Sequence, residues 1–96
     1  MKPAIVATRK FGLEAAKVGM RVLQARGSAL DAVEEAVKAI EADMANRSVG
    51  LGGYPNVEGQ VELDASIMDG LTMKAGAVAA VKNVRHPISL ARKVME

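Results

Sequence analysis

The sequence predicts an α+β chain with the element order β-α-α-loop-β-β-α. Three observations carry this reading. Two neighbouring stretches place apolar residues at helical spacing, a glycine-dense loop follows them, and beyond it a period-2 stretch runs into an Asp-Gly turn. At 96 residues the chain is a single small domain, residues 1–96. Its apolar half holds one Phe, one Tyr and no Trp, so the core must be assembled from Ala, Val, Leu, Ile and Met.

Each element has its own signal. Pro3–Thr8 reads as a short strand buried on both faces, because Ala4-Ile5-Val6-Ala7 is continuously apolar. Phe11-Gly12 breaks it. Leu13, Ala16, Met20 and Leu23 then share one face of a helix running to Ala25, with Gly27 as its stop in a positive-φ conformation. Ser28 reads as the N-cap of a second helix, with Asp31 three residues on. Leu30, Val33, Val37, Ile40 and Met44 form its expected buried face, and Glu34, Glu35, Lys38 and Glu41 its wet side. Ser48 to Asn56, with Gly50, Gly52, Gly53 and Pro55, is loop. Val61, Leu63, Ala65 and Ile67 alternate with Glu62, Asp64, Ser66 and Met68 as a strand. Asp69-Gly70 marks the hairpin turn, and Thr72–Val81 returns as a second strand with Gly76 where another backbone can approach closely. Pro87 suits the first turn of a last helix, with Ile88, Ala91, Val94 and Met95 as its apolar face. That helix reaches Glu96 without a stop signal, which reads as an unfinished fold, and the Ala-rich strands call for a partner.

Composition removes several function classes. Without cysteine there are no disulfides or thiolate metal sites, and with one His a nitrogen-ligated metal is not expected. No apolar run approaches a membrane span, and the N-terminal apolar stretch is too short for a signal peptide, so a cytoplasmic location and no membrane association are expected. The net charge of +2 splits into +5 over residues 1–26, −7 over 27–69 and +4 over 70–96. The bases are dispersed and no aromatics interleave with them, which argues for solvated faces and against nucleic acid.

Chemistry-bearing constellations are few. Ser48, His86 and Asp64 supply the residue types of a hydrolytic triad, a combination expected by chance in any chain of this size; His86, before Pro87, suits a cap or a solvated position. Asp64 and Asp69 lie five apart on a strand, face opposite sides, and are no acid/base pair. The Gly50–Gly53 loop lacks the phosphate-loop and dinucleotide fingerprints. Two readings of it stand: a tight loop needing positive φ, or a pocket wall for a small polar ligand built with Ser48.

Ser48-Val49-Gly50-Leu51-Gly52-Gly53-Tyr54-Pro55, followed by Leu63-Asp64-Ala65-Ser66-Ile67-Met68-Asp69-Gly70, strongly resembles the glycosylasparaginase branch of the plant-type asparaginases, which are N-terminal-nucleophile hydrolases. Gly27-Ser28-Ala29-Leu30-Asp31-Ala32-Val33-Glu34, Gly76-Ala77-Val78 and His86-Pro87-Ile88 through Glu96 continue the resemblance collinearly. It implies the N-terminal part of an αββα sandwich, from a precursor that cuts itself to free a nucleophilic Thr. Neither Thr8 nor Thr72 sits in a matching context, so the chain alone is expected to be inactive. By resemblance, Ser48 and Phe11 belong to the substrate pocket and Asp64 to its framework, while Arg9 stands where glycosylasparaginases carry a pocket Trp. Arg9 can pair with a carboxylate or sit as solvated surface, and both readings stay open. The resemblance implies no cofactor and no metal. Its expected partners are the missing C-terminal portion, a small asparagine-derived substrate and further copies of the chain. A non-catalytic self-associating module is the alternative.

Overall fold

A computed structural model of the chain describes residues 2–96; Met1 lies outside them. Its elements are α1 (Gly12–Gln24), α2 (Ala29–Glu41), a single 3-10 turn at Gly50–Gly52, β1 (Leu63–Met68), β2 (Ala75–Val81) and α3 (Pro87–Met95). Among the described residues the architecture is α+β, three helices and one two-stranded antiparallel sheet.

The buried apolar cluster sits between the hairpin and α3. Leu63 and Ile67 point inward from β1, as their alternation requires, and Ile67 meets Ile88 and Ala91 of α3, with Leu30 and Val37 of α2 closing the cluster. Ala91 is 0% exposed because β2 offers no side chain opposite it. A methyl group on Gly76 would overlap the carbonyl oxygen of Ala91 and the main chain of Met95, so the close backbone approach expected at Gly76 is realised. α1 meets α2 in the same way. A methyl group on Gly19 would lie against Ala32 and Ala36 and overlap Ile5. A chain nearly free of aromatics thus packs by letting backbones touch where the side chain is hydrogen or methyl.

Several expectations need correction. Pro3–Thr8 is not a strand: it carries no ladder hydrogen bonds, since the sheet consists of β1 and β2 alone, and all of it but Ile5 is exposed. An apolar run becomes a strand only beside a partner strand. At the end of α1 the left-handed residue is Arg26 (φ 67°), not Gly27. The amides of Arg26 and Gly27 bond back to the carbonyls of Leu23 (3.0 Å) and Val22 (2.8 Å), a Schellman motif with Gly27 one place later than expected. Gly27 is needed for space, because its Cβ would press on the Val22 side chain. On α2, Ala32, Ala36 and Ile40 are buried while Val33 is exposed, and Glu41 is buried rather than wet; Met44, also exposed, lies beyond the end of α2. Leu13 and Val94 are likewise exposed. The Ser28 cap forms as expected, its hydroxyl accepting from the Asp31 amide at 3.0 Å.

The hairpin connection spans Asp69 to Lys74 rather than turning at Asp69-Gly70 alone. Asp69 accepts from the Leu71 amide (3.0 Å) and the Thr72 hydroxyl (3.1 Å), and Met73 takes positive φ. Further along, Leu63 pairs with Val81 but Ala65 with Val78, so β2 carries an extra residue.

Candidate functional site

The glycine loop is anchored by the end of α2. Gly50 (φ 72°) lies so close to the main chain of Glu41 that a methyl group would overlap its Cα and carbonyl oxygen. Gly52 sits equally close to the carbonyls of Met44 and Asn46. Positive φ is required at Gly50 alone, and Gly52 is glycine for lack of room. The tight-loop reading of this segment therefore holds at Gly50.

Ser48 is positioned by Asn46, a nearly buried residue that the sequence reading passed over. The Oδ1 atom of Asn46 accepts from the amides of Ser48 (2.9 Å) and Val49 (3.0 Å), and its own amide donates to the Asp43 carbonyl (3.0 Å). An Asn two residues before a serine is a recognisable side-chain-to-backbone turn signal. Ser48 then opens on a groove lined with Phe11, Ala45, Asn46, Arg47 and Tyr54, of about 440 Å³. The Arg47 guanidinium lies over the Tyr54 ring, 4.7 Å from its centre.

Two of the expected site residues thus meet, Phe11 and Ser48. Phe11, half-buried just before α1, also lines a second, apolar groove of about 340 Å³ with Ile5, Val33 and Val49 among its walls. Asp64 lies on the hairpin, outside the Ser48 groove. Its Oδ1 accepts from the Ala80 amide at 2.7 Å, where the bulge puts Ala80 at positive φ and takes its N–H out of the ladder. Arg9 is exposed, in the left-handed region (φ 67°), and heads a turn whose carbonyl accepts from the Gly12 amide (3.1 Å); it does not line the Ser48 groove.

His86 takes the N-cap position of α3, as expected, but its half-buried side chain makes no cap hydrogen bond and turns to Glu41 instead. Its Nδ1 is 3.3 Å from Oε1 of Glu41, whose Oε2 accepts from the Ile88 amide at 3.1 Å. Burial pushes the Glu41 carboxyl up from its ordinary value, and the bonds from Ile88 and His86 pull it part of the way back. The Ser48–His86–Asp64 grouping does not assemble, since Asp64 is held by the bulge and His86 by Glu41. Among the described residues no helix is long and apolar enough to cross a membrane.

A family model described as asparaginase matches residues 2–96. The chain belongs to the asparaginase family. Within this family it is 47% identical, over 99% of its length, to the N(4)-(beta-N-acetylglucosaminyl)-L-asparaginase of Elizabethkingia miricola, of which it covers 28%. It is 57% identical over 86% of its length to the plant-type L-asparaginase of Thermococcus kodakarensis, covering 26% of that protein. To the human isoaspartyl peptidase/L-asparaginase it is 52% identical over 88% of its length, covering 27%. The chain spans roughly a quarter of the length of these asparaginase-family relatives.

Proposed function

We propose that this chain is the N-terminal portion of an amidohydrolase that cleaves the side-chain amide of asparagine, free or linked to a sugar. The observation that carries the reading is the collinear family match over residues 2–96, within which Phe11 and Ser48 come together on one groove. In this reading residues 1–96 are part of one αββα domain, and the β1–β2 hairpin belongs to one of its central sheets. The nucleophile is a Thr outside this chain. Its hydroxyl oxygen attacks the amide carbon while its own α-amine takes the proton. The C–N bond breaks, ammonia or a glycosylamine leaves carrying that proton, and water cleaves the resulting ester to give aspartate. Phe11 and Ser48 wall the substrate, and Asp64 keeps the hairpin in register by satisfying the bulge at Ala80.

The test is a chimera. The chain is joined in frame to the C-terminal three quarters of the Thermococcus kodakarensis relative, and ammonia release from asparagine is measured. Release is expected, falling about tenfold or more in Ser48→Ala through loss of a pocket hydrogen-bonding group. A self-processed chimera that releases none overturns the reading.

A second reading, a self-associating module, is supported by surface area. The chain exposes 6636 Å², against about 5,200 Å² for a typical folded monomer of this mass. Light scattering decides it, since a folded monomer at high concentration removes that reading.

A further inference from the structure

We propose that Glu41 is a positioning residue that couples the first turn of α3 to the loop carrying Ser48. The hydrogen-bond accounting of α3 comes first. Pro87 has no N–H, and the amides of Ser89 (3.1 Å) and Leu90 (3.4 Å) both donate to the His86 carbonyl. Ile88 is left with the unpaired amide of the first turn, and no side chain at the cap position serves it. Glu41, 47 residues upstream, supplies the acceptor. Its other oxygen meets His86 Nδ1, so both carboxylate oxygens are committed to the start of α3.

The same residue is the seat of the glycine loop. The main chain of Glu41 is what Gly50 presses on, and the Asp43 amide bonded to the Ile40 carbonyl (3.1 Å) continues the chain from α2 into the turn that holds Asn46. Two routes therefore run from Glu41 to Ser48, one through Gly50 and one through Asp43 and Asn46. A shift of the Glu41 main chain would displace both the carboxylate that holds Ile88 and the floor under Gly50. The titratable and charged groups facing its carboxylate are His86, from the start of α3, and Lys38, one turn earlier on α2. Gly50, having no side chain, brings only main chain to Glu41.

This inference rests on the proposed function solely for Ser48 being a pocket residue; its test needs no catalysis. Backbone amide shifts of the chain are followed from about pH 3.5 to about pH 7, across the carboxylate range, in wild type and Glu41→Gln. In wild type the amides of Ile88, Ser48, Val49 and Gly50 are expected to move with one shared midpoint. In Glu41→Gln, which keeps an acceptor for Ile88, that shared transition disappears. Hydrogen exchange at Ile88 is expected to be about ten- to a hundredfold faster in Glu41→Ala and restored in Glu41→Gln. The proposal is overturned if Ile88 titrates while residues 48–50 stay silent. It is also overturned if the loop transition survives in Glu41→Gln, which would assign it to Asp43.

Discussion

The two ends of the α2–α3 junction hold their carboxylates in opposite ways. At the open end, Arg92 Nη1 lies 2.7 Å from Asp31 and 2.9 Å from Glu34, and its Nε lies 3.1 Å from Glu96. Arg92 and the Ser28 hydroxyl hold Asp31 below its ordinary range; the Ser89 hydroxyl, then Arg92, do the same for Glu34 against partial burial. These carboxylates, Asp31 above all, push the guanidinium further up. At the closed end, Glu41 is 1% exposed, no Lys or Arg pairs with it, and desolvation raises its carboxyl. Partners and burial together set the difference: donors from Arg92, Ser28 and Ser89 outweigh desolvation at the open end, and desolvation outweighs the bonds from Ile88 and His86 at the closed one. A wet carboxylate near Arg92 acts as a charge, and the dry one acts as a cap for a backbone N–H.

The largest effect is expected where the closed end meets the core. Ile88 is 2% exposed and touches Ile67 and Ala91. Ile88→Ala should lower stability by about 3 kcal/mol, the transfer and cavity penalty of a buried Ile, measured by urea unfolding. A loss under about 1 kcal/mol would mean that the closed end collapses onto the vacated space, and its dryness would then owe nothing to packing.

At the open end, Arg92→Met should cause a smaller loss, because its partners are partly solvated. That loss depends on pH. Asp31 and Glu34 have folded pKa values below their ordinary 3.8 and 4.5. Their contribution is full above those values and is lost as pH falls through the lower folded ones. The stability gap between wild type and Arg92→Met should therefore be widest near neutral pH and close in acid. A gap that is flat with pH would leave Arg92 a packing role only.

The sequence showed the hairpin, the Ser28 cap and α3 with Pro87 at its start, because each depends on neighbours close in the chain; Gly76 marked a close backbone approach, though not that α3 would supply it. It misplaced Pro3–Thr8, whose strand character requires a pairing partner that residues 2–96 do not provide. It put Glu41 on the wet side because helical spacing alone cannot see α3 arriving 47 residues later. Asp64 and Ser48 stood out in the sequence, yet what fixes them did not. Asp64 is fixed by an unpaired bulge amide, which follows from backbone geometry, and Ser48 by Asn46, a local turn signal that the residue pattern did offer.

The smallest effect is the most diagnostic one. Glu41→Gln leaves the side chain's size and an acceptor for Ile88, and removes only the buried charge. Because the folded carboxyl is raised, the folded state holds its proton more tightly than the unfolded chain does. Its contribution is therefore most favourable below the ordinary value of 4.5 and is lost as pH rises through the raised one. Gln avoids that loss. The variant should match wild type in acid and be slightly more stable near neutral pH, a trend opposite in sign to that of Arg92→Met. A variant that is less stable at neutral pH would show that the contact with His86 outweighs the desolvation of Glu41, making the closed end an ion pair like the open one.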